Sequence, residues 1–212
     1  MSDVVAILND TTRCTGCERC VEACKETNGL GPDLPRPWKR EIDDLSSTRY
    51  TTIVRRETGQ KVRRFCRHCL EPACASACIV GALHKTPEGP VIYDPDKCIG
   101  CRYCMTACPF GIPRYEWGSA TPYVRKCTMC YPRLQEGKQP ACVEACPYEA
   151  TIFGKRDELI AEARKRISEN PQRYIQKVFG ETEIGGTSVP VSYTHLRAHE
   201  TSLHLVCRLL LE

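Results

Sequence analysis

Cys98-Ile-Gly-Cys101-Arg-Tyr-Cys104-Met-Thr-Ala-Cys108-Pro109 decides how the rest of the chain is read. Three thiols separated by two residues each come off one tight loop onto three corners of a single metal cluster. The fourth, after three intervening residues, begins to point elsewhere. Gly100 lets the backbone approach such a cluster with no side chain in between. Pro109 withholds an amide donor and turns the chain.

The same spacing recurs at Cys14-Thr-Gly-Cys17-Glu-Arg-Cys20-Val-Glu-Ala-Cys24, with Asp10 for Asp94, Gly16 for Gly100 and Ala23 for Ala107. A second kind of group, Cys66-Arg-His-Cys69-Leu-Glu-Pro-Ala-Cys74-Ala-Ser-Ala-Cys78, has a longer gap between its second and third thiols. Cys127-Thr-Met-Cys130 and Cys142-Val-Glu-Ala-Cys146-Pro147 repeat that group with its middle stretched, Pro72-Ala-Cys74 aligning with Pro140-Ala-Cys142. The order along the chain is A, B, A, B, an internal duplication. Lys25 and Ile79, not proline, follow Cys24 and Cys78, so proline does not set the turn there.

Seventeen cysteines in 212 residues suit either a disulfide scaffold or a metal protein. A disulfide framework belongs to an exported chain, yet the N-terminus has a short apolar run and no basic lead, so no signal peptide is expected. No apolar run is long enough to span a membrane. Structural zinc uses C-x2-C pairs but has no use for a third cysteine at the same spacing or for the trailing x3-Cys-Pro. Adjacent triplets are poor disulfide partners. Iron-sulfur ligation by sixteen of the cysteines, four complete quartets for four [4Fe-4S] clusters, is the reading that uses every feature of the spacing.

The formal charge of +4 treats thiols as neutral. Four clusters of roughly −2 each would bring the loaded protein to about −4, so the basic excess reads as compensation for buried anions and not as a nucleic-acid footprint. Arg13, Lys97 and Lys126 each stand directly before the first cysteine of a group. They are either part of that compensation or ordinary solvated charges, and burial distinguishes the two.

Between the groups, Val4 to Leu8 reads as a strand. Residues 25–65 hold no cysteine: Gly29 to Pro37 is turn-rich, whereas Tyr50 to Arg55 and Lys61 to Phe65 read as a hairpin. An insertion of this size covers a cluster or meets a partner. Ala82 to Thr86 and Val91 to Tyr93 read as a second hairpin. Asp157 to Asn170 has the helical period, with Leu159, Ile160, Ala163 and Ile167 on one face and Glu162 and Arg166 paired on another; Asn170-Pro171 ends it. Gly180 to Val189 reads as a polar extension. The last stretch, with His195, His199, His204 and Cys207, looks like translated adapter sequence, and the i, i+4 pair His195 and His199 lacks a matching ligand set.

The four groups in this order, with the stretched fourth, resemble the four-cluster ferredoxin-like subunits of the molybdopterin oxidoreductase superfamily and of membrane-linked nickel-iron hydrogenases. The resemblance covers roughly residues 4–188. It implies an α+β fold of duplicated bacterial two-cluster ferredoxin-like cores, loop-rich, with short hairpins and a C-terminal helix. The implied units are 1–62 with 110–155 outside, 63–109 inside, 156–188 as helix and extension, and 189–212 as a non-native tail. It implies that the last cysteine of each group serves another group's cluster. The quartets are then Cys14, Cys17, Cys20 and Cys146; Cys24, Cys127, Cys130 and Cys142; Cys66, Cys69, Cys74 and Cys108; and Cys78, Cys98, Cys101 and Cys104.

The implied role is electron transfer, with no catalytic residue in this chain, between a large catalytic metalloenzyme subunit and a membrane quinone-reactive subunit. A free-standing polyferredoxin or cluster-carrying assembly factor is the alternative. The location implied is cytoplasmic, membrane-associated through partners, or periplasmic by co-export with a signal-bearing partner. His68, between Cys66 and Cys69, reads as a solvent-facing loop histidine ahead of one that tunes that cluster's potential or couples a proton, and Tyr115 and Trp117 as packing or interface residues ahead of an electron relay.

Overall fold

In the computed structural model, which describes residues 4–33, 45–56, 59–119 and 122–194, the N-terminal apolar run forms β1, Val5–Asp10. Side chains alternate across a strand, so Ala6 and Leu8 face one way and Ile7 the other, and all three are fully buried. A strand covered on both faces reads as a continuous apolar run.

The chain then gives α1 (Arg19–Thr27), the hairpin of β2 (Thr52–Arg55) and β3 (Lys61–Arg64), and α2 (Ala73–Ser76). A second hairpin of β4 (Leu83–Lys85) and β5 (Val91–Tyr93) follows, then α3 (Tyr103–Ala107), and a two-residue ribbon of β6 (Arg114–Tyr115) and β7 (Val124–Arg125). The last part holds α4 (Tyr131–Gln135), α5 (Ala141–Glu144), β8 (Thr151–Lys155), α6 (Arg156–Glu169), β9 (Tyr174–Phe179) and β10 (Val191–Thr194).

The main sheet has the order β8-β1-β10-β9. β1 runs antiparallel to β8, with Ile7 opposite Phe153, and parallel to β10, with Asn9 opposite Val191. One face packs on α6: Ala6 and Leu8 cluster with Leu159, Ala163 and Ile167, together with Tyr174 and Val178 of β9. The other turns toward the cysteines, where Ile7 joins Val62, Phe65, Met129, Cys142 and Val143. The helical face expected from the sequence is the one buried, and Asn170 ends α6 as expected.

Three expectations change. Val191 and Tyr193, placed in the tail, are buried core residues of β10; strand pairing is carried by the backbone, and their alternation suffices to fill the slot beside β1. Residues 195–212, with His195, His199 and Cys207, lie outside the described residues. The unit boundary drawn at 62 falls inside β3, whose ladder with β2 pairs Val54 with Val62 and Ile53 with Arg63. Arg166 does pair with Glu162 at 2.7 Å, but it is buried and also bonds Asp10 at 3.1 Å.

Candidate metal centres

Each cysteine group opens on the same backbone device. The second residue after its first cysteine is left-handed: Gly16 (φ 74°), His68 (45°), Gly100 (71°) and Met129 (58°). In the A groups glycine takes this conformation without steric cost. In the B groups His68 and Met129, both fully buried, are held there by packing. The turn aims amides at sulfur: Gly100 N–H donates to Cys98 Sγ and Met129 N–H to Cys127 Sγ, each at 3.4 Å.

A Cβ on Gly100 would stand 3.0 Å from Tyr115 Oη. Gly100→Ala is therefore expected to lower stability by about 1–2 kcal/mol from the left-handed backbone alone. Gly118→Ala, where an added Cβ meets nothing within 4 Å, should leave the unfolding midpoint unmoved.

Proline is not needed for the turn after the fourth thiol. Gly81 N–H donates to the Cys78 carbonyl at 3.0 Å, as Gly111 N–H does to that of Cys108, with Ile79 in the place of Pro109. At Cys24 the lysine instead lets α1 run on to Thr27. The stretched loop of the fourth group holds α4, closed by Arg133 Nε on the Gln139 carbonyl at 3.0 Å.

The fold brings the cysteines together across groups. Burial pushes the Cys104 thiol up to about 11, and the nearby Cys78, Cys101 and Cys98 push it the same way. Burial with Cys66, Cys108 and Cys69 beside it pushes Cys74 up to about 12; Cys69, with Cys66 and Cys108 as neighbours, reaches about 12 as well. Cys24 rises to about 12 by burial with Cys142, Cys130 and Cys20 nearby. Cys14 is raised by burial and by Cys146 and Cys17.

Two cavities carry complete sets of four. Cys14, Cys17, Cys20 and Cys146 line one, and Cys24, Cys127, Cys130 and Cys142 line the other. Among the described residues no three or more His, Cys, Asp or Glu side chains close on one point as a single ion requires. Burial makes Cys14, Cys20, Cys24, Cys127 and Cys130 resist ionisation alone; iron would supply the positive charge that makes thiolates of them. The donor sets therefore fit a polyatomic cluster. α1 packs on α5 and α2 on α3, so the first group meets the fourth and the second meets the third. Neighbouring sets are close enough for their charges to interact: Cys142 acts on Cys20, and Cys66 on Cys127.

The three basic residues that precede the groups divide. Arg13 pairs with Glu149 and Lys97 with Asp94 at the surface, whereas Lys126 is buried, its ammonium 3.9 Å from Cys66 Sγ and bonded to the carbonyls of Val91 and Cys127. His68 is fully buried, not solvent-facing: its Nδ1 accepts from Val91 N–H at 2.9 Å, and Nε2 has no partner among the described residues. Burial, with Lys126 and Lys85 nearby, holds its pKa well below the imidazole range, so it is neutral.

Arg63 is the residue that sequence reasoning missed. It is 2% exposed and lines both cavities. Its alternation with Phe65, fully buried, was the available signal. The insertion thus covers the cysteines, through Thr51, Ile53 and Arg63.

Comparison with known proteins agrees with this chemistry. Two matches to 4Fe-4S dicluster domain families cover residues 6–79 and 58–156. Hydrogenase-2 operon protein HybA of Escherichia coli O157:H7 is 36% identical over 229 residues, spanning 88% of this chain and 69% of the relative. The chain belongs to the 4Fe-4S iron-sulfur subunits of the hydrogenase and dimethyl sulfoxide reductase type. The probable anaerobic dimethyl sulfoxide reductase chain YnfG of Escherichia coli K12 is 42% identical over 158 residues, 71% of this chain and 73% of that one. A relative in Nitratidesulfovibrio vulgaris is 49% identical over 201 residues, 88% of this chain, and the chain spans about half of its length, 53%.

The two dicluster domains and the sixteen grouped cysteines give the chain four [4Fe-4S] clusters. Among the described residues no helix is long and apolar enough to cross a membrane.

Proposed function

We propose that this chain relays electrons through four [4Fe-4S] clusters between a catalytic subunit, a molybdopterin oxidoreductase or a nickel-iron hydrogenase, and a membrane quinone-reactive subunit. Cys14, Cys17, Cys20 and Cys146 hold the first cluster, and Cys24, Cys127, Cys130 and Cys142 the second. Cys66, Cys69, Cys74 and Cys108 hold the third, and Cys78, Cys98, Cys101 and Cys104 the fourth. The observation that carries the reading is the lining of the two cavities, one by Cys14, Cys17, Cys20 and Cys146 and the other by Cys24, Cys127, Cys130 and Cys142; the cysteines beside Cys74 and Cys104 favour the other two fours. The groups form an outer and an inner ferredoxin-like unit, supported by the packing of α1 on α5 and of α2 on α3. The chain contributes no catalytic residue.

Each cluster supplies a one-electron acceptor and donor. The residues around it fix its place, keep water out and set its potential through charge and amide donors to sulfur. Ile79, Ile99, Tyr103 and Trp117 are each more than half exposed and flank the fourth set, with Arg102 set 5.2 Å over the Trp117 ring. Apolar side chains left out in this way suit a surface that a partner covers.

The loaded chain should contain about sixteen iron and sixteen acid-labile sulfide, with a brown colour that bleaches on dithionite. Affinity purification should bring a large metalloenzyme with it. Recovery of the four-cluster chain alone, stable and unassociated, would overturn the subunit reading in favour of a free-standing polyferredoxin.

A further inference from the structure

The guanidinium of Arg63 stands in the wall between the two outer cavities. Its Nε donates to Thr51 Oγ1 at 2.9 Å and Nη1 reaches Thr151 Oγ1 at 3.4 Å, while the group lies 4.0 Å over the Phe65 ring. Hydroxyls and a ring face hold it in place but do not neutralise it. Among the described residues no carboxylate forms an ion pair with it.

A buried charge persists only when compensated. The groups facing Arg63 in the two cavities are cysteine sulfurs, which iron would make thiolates: Cys142 and Cys127 of the second set and Cys20 of the first. Arginine stays protonated in proteins, so this charge is fixed.

We propose that Arg63 is a shared positive charge that raises the reduction potentials of both outer clusters, those held by Cys14, Cys17, Cys20 and Cys146 and by Cys24, Cys127, Cys130 and Cys142. Reduction adds one negative charge to a cluster, and a fixed cation in the adjoining wall stabilises that charged state in a poorly screened interior. One side chain serves two sites because the β2–β3 hairpin inserts it between them. Lys126, beside Cys66 and Cys127, has the corresponding place between the second and third sets. The inference rests on the quartet assignment above.

The test is a redox titration followed by electron paramagnetic resonance on the full chain purified with its partners, signals being assigned first with one cysteine variant per quartet. Arg63→Gln should shift the reduction equilibrium of both outer clusters at least tenfold toward the oxidised form, 59 mV lower for a one-electron couple. The two inner clusters should move less than about threefold. Arg63→Lys, which keeps the charge but not the fork, should leave both outer potentials within about threefold of wild type.

Four intact clusters with unmoved outer potentials in Arg63→Gln would overturn the proposal, as would a shift of only one of the two. Should the glutamine variant not assemble its clusters, the lysine variant decides alone, a tenfold shift counting against the proposal. Failure of the quartet assignment would appear separately, as cysteine variants that alter the wrong signals.

Discussion

Replacing Cys108 by Ser is expected to perturb the cluster assigned to Cys66, Cys69 and Cys74 and to leave the cluster of its own loop, Cys98, Cys101 and Cys104, at its wild-type potential. Cys69 and Cys74 both have Cys108 among their nearest charges, and Cys108 in turn has Cys66. Cys104 has Cys78, Cys101 and Cys98. A serine hydroxyl is a poor substitute for thiolate at iron, so the affected site should lose about one iron of four or move markedly in potential. Cys78→Ser should do the reverse, altering the cluster of Cys98, Cys101 and Cys104. Reduced-state spectra of the two variants check the pair, and an effect confined to the mutated residue's own group would overturn the exchange.

The cysteine pattern was legible because ligand spacing is a local property of sequence. So was most of the local structure: the two hairpins and the 156–169 helix lie within a residue or two of their expected places. What escaped was tertiary. β8 and β9 flank the central strands, yet Thr151-Ile-Phe-Gly-Lys155 is short and contains a glycine, and Tyr174-Ile-Gln-Lys-Val-Phe179 carries two polar residues in its middle. Neither announces its partner. Tyr193 looks unremarkable in sequence and is buried against Phe179, ring centroids 5.0 Å apart.

The charged and polar surroundings of the cysteines were the least legible part. Arg13, Lys97 and Lys126 share one sequence position, but only Lys126 is buried. That difference is set by what packs over each loop. Lys126 lies beneath Val91 of the second hairpin, whereas Arg13 and Lys97 find carboxylates at the surface. His68 and Arg63 repeat the lesson: a loop histidine and a strand arginine look solvated until the fold closes over them.

Asp10 and Asp94 are equivalent positions of the duplication, and their removal should have unequal effects. Both use one carboxylate oxygen to accept from the turn ahead: Asp10 from Thr12 N–H at 3.0 Å, Asp94 from Asp96 N–H at 3.1 Å. The second oxygen separates them. That of Asp94 meets Lys97 at the surface, at 3.0 Å. That of Asp10, fully buried, accepts from Arg166 at 3.1 Å and from the Tyr174 hydroxyl at 2.9 Å, joining β1 to α6 and β9.

Removing one member of a buried ion pair leaves the other charge uncompensated, at a cost of about 3–5 kcal/mol. Arg166 retains Glu162 at 2.7 Å, which places Asp10→Ala near about 3 kcal/mol. Asp94→Ala should lower the unfolding midpoint much less than Asp10→Ala, since it removes a turn cap and an exposed pair that contributes little. A cycle of Asp10→Asn with Arg166→Gln should give a coupling of at least about 1 kcal/mol. Additive effects in that cycle would mean that the two side chains act independently, and that the buried pair does not fasten the helix to the strand entering the first cysteine loop.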